Sequence, residues 1–204
     1  MQIRPPLKLG FLASHGGSAM GAVLDAIAAG ELNGEARVLI TNNRDCGAVG
    51  VAEAAGLPWK HISGASAGGS DAADKAIAEA LTAAGAELIV LSGYMRKLGP
   101  STLGRFGGRI LNIHPALLPR HGGQGLYGRR VHEAVHASGD MVSGASIHLV
   151  DADYDTGPVI ARAEVPVEPG DSAADIEARV RAVEPGLMVE TLRRIEAGEL
   201  ALPA

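Results

Sequence analysis

The alternation of short apolar runs with alanine-rich stretches most constrains what this chain can fold into. Leu7 to Ala13 is apolar enough for a buried strand, and Ala19 to Ala29 follows with helical spacing before Gly30. A second strand and helix are predicted at Ala36 to Thr41 and Ala48 to Ala55. Strands joined by helices form parallel sheets that are covered on both faces. The sequence therefore predicts an α/β protein with a Rossmann-like, mostly parallel sheet and helices on both faces.

The C-terminal part of the chain departs from this pattern. Ser143 to Val150 and Val159 to Val165 are joined by a loop too short for a crossover helix, so they are predicted to form an antiparallel hairpin. Ser172 and Asp175 have the spacing of a capping box and are predicted to begin a long helix that reaches about Ala197. In the middle of the chain we expect a helix from a Ser70 cap to about Ala84, and strands over Glu87 to Leu91 and Arg109 to His114.

Composition is typical of one enzyme domain. With 204 residues, 47% apolar and 20% charged, the chain can bury its own core as a single domain over residues 1–204. A net charge of −5 and scattered basic residues argue against a nucleic-acid partner. Cys46, the only cysteine, excludes an internal disulfide and fits a reducing cytoplasm. No apolar window is long enough to span a membrane, and Met1 to Pro6 lacks a signal peptide's apolar core. We expect a cytoplasmic protein without a membrane partner.

The run Asn112-Ile113-His114-Pro115 carries the strongest chemical signal. Because side chains alternate along a strand, Asn112 and His114 are expected on one face, near the strand end that Pro115 enforces. A downstream carboxylate, Asp155, is expected to raise the pKa of His114 and keep its imidazole protonated near neutral pH. Each residue alone has an ordinary explanation: a strand terminator, a packed core histidine and a turn residue. Together, an amide, an imidazole and a carboxylate suit acyl transfer to an amine.

Three stretches of the chain resemble the tetrahydrofolate-dependent formyltransferase family. They are residues 111–119, residues 91–98, and residues 144–150 continuing into 155–160. The resemblance implies formyl transfer from 10-formyltetrahydrofolate to a phosphoribosyl amine, with Asn112, His114 and Asp155 as the catalytic residues and no metal. It also implies a nucleotide-binding-like half over residues 7–114 and a folate and catalytic half over residues 115–204. The alternatives are transfer to another amine such as an amino sugar, hydrolysis of the formyl-folate, and a folate-binding module without turnover.

The loop Ser14 to Ser18 lies between the first strand and the first helix. A glycine- and serine-rich loop at a helix N-terminus suits either a phosphate or a plain tight turn, in our reading about equally. The family resemblance favours phosphate and implies that Gly16, Gly17, Ser18 and Ala19 bind the acceptor. The family commonly has Gly-Ser-Asn here, so Ala19 lacks one side-chain contact. Glu184, otherwise an ordinary helix charge, matches the family's ribose-binding glutamate.

The folate site is also implied by the resemblance. It assigns folate binding to Met95, Arg96, Lys97 and Leu98, together with Asn112 and Asp151. On residues alone, the first four would be a solvated basic turn with two apolar anchors. A basic residue that some relatives place near the folate tail falls at Ser70 here. His148 is expected either to support the His114 site or to be a satisfied core histidine, and we favour the first.

Two further segments have open interpretations. His121 to Gly128 is rich in glycine, and a lid over the substrates and a plain connector are equally compatible with it. His132-Glu133-Ala134-Val135-His136 matches a zinc-binding pattern, but we interpret it as a chance match on a surface helix. The expected partners are small-molecule substrates, and a homodimer is possible.

Overall fold

The computed structural model describes residues 5–203, which form one mixed sheet flanked by helices. The strands are β1 (Leu7–Ala13), β2 (Gly34–Thr41), β3 (Trp59–His61), β4 (Leu88–Leu91), β5 (Ile110–His114), β6 (Val142–Leu149) and β7 (Val159–Pro166). The helices are α1 (Ser18–Ala28), α2 (Gly47–Ala54), α3 (Gly64–Ala67), α4 (Ser70–Ala83), α5 (Pro100–Phe106), α6 (Arg129–Ser138) and α7 (Ala173–Glu196).

The sheet has the strand order β3-β2-β1-β4-β5-β6-β7 within the described residues. Neighbouring strands from β3 to β5 are parallel, whereas β6 is antiparallel to both β5 and β7. The prediction of a mostly parallel sheet with a C-terminal antiparallel hairpin and a long helix is confirmed. The hairpin matters for the site because its antiparallel register sets residues of β6 directly opposite the end of β5.

Two apolar layers cover the two faces of the sheet. Successive residues of β1 point to opposite faces, so Phe11 packs in one layer and Leu12 in the other, both with no exposed surface. Helices α1, α2 and α7 cover the Phe11 face, and helices α4 and α5 cover the Leu12 face. Cys46, at the start of α2, is buried in the first layer beside Thr41. Helices on both faces are the arrangement that the sequence predicted.

Helix starts show where sequence reasoning worked and where it did not. The capping box of α7 is present, because Ser172 accepts from the backbone N–H of Asp175 and Asp175 accepts from that of Ser172. Ser70 is not a cap: it is the first residue of α4, Gly69 precedes it, and its hydroxyl lies 3.4 Å from the Asp71 carboxylate. The short elements β3, α3 and α5 were not predicted.

Two glycines of the hairpin allow close backbone approach. A Cβ on Gly144 would lie 2.0 Å from the carbonyl oxygen of Ala163, and one on Gly157 would lie 1.8 Å from that of Leu149. Both distances are far below a van der Waals contact, so no larger residue fits without moving the backbone. In the described part of the chain, no helix is both long and apolar enough to cross a membrane.

Candidate active site

Asn112 and His114 lie at the end of β5 and face β6. The antiparallel register places Asn112 opposite His148 and His114 opposite Ser146. Ser146 fixes the turn after β5, because its hydroxyl donates to the Ala116 carbonyl at 2.7 Å and accepts from the Leu118 N–H at 3.0 Å. The turn therefore leaves the strand in a defined direction over the His114 ring.

Asp155, in the loop between β6 and β7, completes the predicted group. Its Oδ2 lies 3.4 Å from His114 Nδ1 and accepts from the Gly123 N–H at 3.0 Å, while its Oδ1 lies 3.4 Å from His148 Nε2. Asp155 has φ 57°, a left-handed conformation that aspartate tolerates better than most residues. Burial would raise the pKa of Asp155, but the His148 and His114 rings and the Gly123 N–H together hold it below its usual value. Asp155 is therefore ionised at neutral pH.

The two ring nitrogens of His114 have different surroundings. Nε2 lies 2.8 Å from the His121 carbonyl oxygen, which can only accept, so Nε2 carries a proton. Nδ1 faces Asp155, and protonation of Nδ1 would satisfy both neighbours. Burial nevertheless lowers the pKa of His114 below 6.5, and the opposing effect of Asp155 is smaller. The expectation that Asp155 would raise the pKa of His114 is therefore wrong in its net direction, because the sequence shows the partner but not the burial.

His148 links Asn112 to Asp155. Its Nδ1 lies 3.0 Å from the Leu149 carbonyl oxygen, so Nδ1 bears the proton in the neutral ring and the Nε2 lone pair can accept from Asn112 Nδ2 at 3.0 Å. This pairing uses one N–H of the Asn112 amide and leaves the other for a ligand. His148 is 2% exposed, and it was predicted to lie beside the His114 site and support it; its contacts with Asn112 and Asp155 agree with that placement.

The start of α1 has the backbone geometry of an anion site. Gly17 precedes the helix with φ 69°, and the first-turn N–H groups of Ser18 and Ala19 have no partner within the helix. The next N–H, of Met20, is used by the Ser92 hydroxyl at 3.2 Å. Ser14 is excluded as a phosphate ligand, since its hydroxyl already donates to Asn42 and accepts from the backbone of the predicted folate loop.

Glu184 lies on α7, which packs against α1. Burial raises the pKa of its carboxyl to about 7, Glu177 adds to this rise, and Arg181 opposes it. A carboxyl held so far above its ordinary value is half-protonated at neutral pH. Perturbed carboxyls of this kind are common in binding sites, which fits the predicted role of Glu184.

The predicted folate loops lie beside each other. Lys97 Nζ is 3.4 Å from the Asp153 carboxylate and 5.8 Å from the Tyr154 ring centre. Asp151 accepts from its own loop, from the Thr156 hydroxyl at 2.7 Å and the Asp153 N–H at 3.1 Å, so Oδ1 supports the loop conformation. The Met95 N–H is bonded to Ser14, which leaves the backbone of Arg96, Lys97 and Leu98 for a ligand.

The two histidines of the zinc-like pattern differ in burial. His132 is only 2% exposed and packs between α6 and α7, whereas His136, one turn later, faces solvent. Residues 5–203 contain no group of three or more His, Cys, Asp or Glu side chains placed to hold a metal.

Sequence reasoning missed the segment that covers His114. His121 and Gly123 contact His114 and Asp155 through their backbone groups, and the side chain of His121 is bonded to Asp140 at 2.7 Å. Backbone contacts leave no residue-type signature in a sequence. The one available signal was the pair of glycines after His121, which we interpreted only as a lid or a connector.

A family comparison identifies the chain's relationship. The formyl transferase family matches residues 7–192. This chain belongs to the formyl transferase family. Among curated members, the phosphoribosylglycinamide formyltransferase of Mycobacterium tuberculosis is 42% identical over 90% of this chain and 82% of its own length. The chloroplastic enzyme of that name from Arabidopsis thaliana is 37% identical over 92% of this chain, which spans 65% of that relative's length.

Solved structures of the formyl transferase family agree with the fold. The glycinamide ribonucleotide transformylase 1 of Symbiobacterium toebii superposes with a TM-score of 0.90 at 34% identity, covering 98% of this chain and 92% of the other. The shared fold therefore extends over the sheet, the hairpin and the long C-terminal helix.

Proposed function

We propose that this formyl transferase carries the formyl group of 10-formyltetrahydrofolate to the primary amine of glycinamide ribonucleotide, a step of purine synthesis and one-carbon metabolism. The observation that carries the proposal is the convergence of Asn112, His114 and Asp155 within a chain 42% identical to a phosphoribosylglycinamide formyltransferase. A cytoplasmic location and a homodimer stay predictions from the sequence.

The proposed chemistry needs no covalent enzyme intermediate. The amine nitrogen attacks the formyl carbon, and negative charge develops on the formyl oxygen. The free N–H of Asn112 donates to that oxygen, and the developing negative charge favours a protonated His114 ring, whose Nδ1–H then donates to it as well. Asp155, ionised beside His114, accepts a proton from the attacking nitrogen, directly or through a water. As the carbon–nitrogen bond to the folate breaks, that proton passes to the folate nitrogen, so charge and atoms balance.

The acceptor is proposed to lie along the start of α1. Gly16, Gly17, Ser18 and Ala19 would meet the phosphate through backbone N–H groups, and Glu184 would meet the ribose hydroxyls. The folate would lie against residues 95–98 and Asp151, next to Asn112. In this arrangement both halves contribute to the site: the phosphate loop, residues 95–98, Asn112 and His114 lie in the half over residues 7–114, whereas Asp151, Asp155 and Glu184 lie in the half over residues 115–204.

A turnover assay with a panel of amines tests the proposal. Glycinamide ribonucleotide should be formylated with a far higher kcat/KM than amino sugars, and inorganic phosphate should compete with it. His114→Ala or Asn112→Ala should each lower kcat by roughly 100-fold, the scale of losing one oxyanion donor. Preference for an amino sugar, or equal consumption of formyl-folate without any amine, would contradict the acceptor assignment. Near-normal turnover in His114→Ala would contradict the mechanism itself.

The proposal also requires no metal. Activity should survive exhaustive chelation, since the donors are an amide and an imidazole. Loss of activity on chelation, with recovery on adding zinc, would instead support a metal-dependent hydrolase.

A further inference from the structure

We infer that Asp140 is a positioning residue for the catalytic histidine, acting through His121. The inference deepens the proposed function, because it concerns how His114 is oriented for the reaction. Asp140 lies beyond the C-terminal end of α6, and its carboxylate contacts neither His114 nor Asp155 by hydrogen bond; its partners are His121, Arg120 and the Ser138 side chain.

A three-residue strap, residues 121–123, lies over the catalytic pair. The carbonyl oxygen of His121 is 2.8 Å from His114 Nε2, and the N–H of Gly123 donates to Asp155 Oδ2 at 3.0 Å. One short stretch of backbone therefore holds both members of the pair. Gly122 lies between these contacts, and a Cβ there would be 2.3 Å from Leu118 Cδ2 and 3.3 Å from Asp155 Cβ. The strap has little room to shift toward the pair.

The strap is anchored from the other side by Asp140. Its Oδ2 accepts from His121 Nε2 at 2.7 Å, and its Oδ1 pairs with Arg120. The hydrogen bond from His121, supported by Ser138 and Arg120, holds the pKa of Asp140 below its usual range despite some burial. An ionised Asp140 thus fixes the side chain of the residue whose backbone carbonyl touches His114.

His121 needs this anchor because its backbone is in an unfavourable conformation. Its φ of 54° is in the left-handed region, which a residue with a side chain other than glycine's keeps only where surrounding contacts hold it. The hydrogen bond with Asp140 supplies such a contact. Without it, the strap keeps the Gly123 contact with Asp155, but the backbone conformation that directs the His121 carbonyl toward His114 loses its side-chain anchor.

The His121 carbonyl determines which nitrogen of His114 faces the reaction. With Nε2–H bonded to the strap, Nδ1 of His114 faces Asp155. Asp155 in turn contacts His148, and His148 contacts Asn112, so Nδ1 lies on the side of the ring where the catalytic residues meet. A backbone carbonyl that fixes one ring nitrogen is a common way for proteins to select a histidine tautomer. If the strap contact is lost, the His114 ring is expected to populate more than one orientation and both neutral tautomers.

The test compares Asp140→Ala with Asp171→Ala. Asp171 is a matched control, because its carboxylate also pairs with an arginine, Arg179 at 2.6 Å, but takes no part in the strap. We expect Asp140→Ala to lower kcat about 10-fold while both KM values stay within about twofold, the scale for loss of a residue that orients a functional histidine. Asp171→Ala should leave kcat unchanged. Asp140→Asn, which keeps one acceptor oxygen, should give an intermediate loss of kcat and serves if Asp140→Ala does not fold.

A spectroscopic measurement separates this inference from the proposed function. In protein labelled with ¹⁵N-histidine, the His114 ring, assigned by its loss in His114→Gln, should show protonated Nε2 in the wild type and mixed tautomers in Asp140→Ala. That readout requires no substrate. If the His114 tautomer changes in Asp140→Ala but the wild type does not formylate glycinamide ribonucleotide, the positioning role of Asp140 is supported and the proposed acceptor is wrong. An unchanged tautomer, with kcat equal to that of Asp171→Ala, would overturn the inference and leave the acceptor untouched.

Discussion

At the scale of single residues, burial and charge act on His114 in opposite directions. Burial lowers its pKa below 6.5, and the carboxylate of Asp155 partly offsets this. Asp155→Asn should therefore lower the pKa of His114 further, since the offsetting charge is lost while burial remains. A titration of the His114 ring by NMR in the substrate-free protein measures this directly. Asp171→Asn, the same substitution at a site away from His114, should leave the pKa of His114 unchanged. A raised pKa of His114 in Asp155→Asn would contradict the stabilising effect of the Asp155 charge on the protonated ring.

Glu184 offers a second prediction, in which stability and activity change in opposite directions. Because burial raises its pKa from 4.5 to about 7, folding favours the protonated carboxyl, and that contribution is lost as pH rises through about 7. Glu184→Gln should therefore stabilise the protein at pH 8, on the order of 2–3 kcal/mol, and much less at pH 4.5. It should also lower kcat/KM for the acceptor. Thermal unfolding at both pH values checks this, and Glu190→Gln, exposed on the same helix, should show no such gain.

At the residue scale, the sequence predicted the placement of side chains that form a short contiguous pattern, whereas their catalytic roles stay predictions. Asn112 and His114 share a strand face by simple alternation, and the structure places Asp155 beside them. Sequence reasoning failed where the contact is made by backbone, as with the His121 carbonyl. The sign of the His114 pKa shift was wrong because burial depends on the whole fold.

At the scale of elements, Asp74 connects two helices. It lies within α4 and is 6% exposed, and its carboxylate accepts from the N–H groups of Gly99, Ser101 and Thr102 at the start of α5. Burial raises the pKa of Asp74, but these hydrogen bonds outweigh it and hold the pKa below 3.8. Asp74→Ala should cost about 2 kcal/mol of unfolding free energy, because several buried donors lose their acceptor.

The cost of Asp74→Ala should depend on pH in one direction. The contribution of a depressed carboxyl pKa is present above 3.8 and is lost as pH falls below it, so wild type and variant should converge in acid. Urea unfolding at pH 7 and at pH 3 measures the difference. Asp71→Ala, an exposed neighbour in the same helix, should cost well under half as much. Equal losses in both variants would show that Asp74 does not act as the cap of α5.

Elements with strong local signals were predicted, and weakly coded ones were not. The capping box of α7 and the hairpin of β6 and β7 follow from spacing within a few residues. Helix α5 was missed because its cap, Asp74, lies twenty-five positions before Gly99, and β3 has only three residues. Ser70 was predicted as the N-cap because serine is a common residue there, but the N-cap of α4 is Gly69.

At the scale of the whole molecule, the two halves share one sheet and the apolar layer on its Phe11 face. Strand β5 pairs with β6 across the boundary at residue 114, and α7 packs on α1. Neither half can bury its apolar face alone, so unfolding should be a single cooperative transition. Far-UV circular dichroism, dominated by helices including α7, and fluorescence of Trp59 on the opposite edge strand should give the same urea midpoint. Two separate midpoints would show that the halves fold independently.

The burial of Cys46 has a practical consequence for all of these measurements. The chain has one sulfhydryl, 7% exposed beneath the first turn of α2, so alkylating reagents can reach it only when that helix opens. The labelling rate of Cys46 therefore reports how readily α2 opens, without a fluorophore or an engineered mutation. Because labelling is read by mass, a variant and the wild type can be compared in one tube, each reporting its own frequency of opening under native conditions.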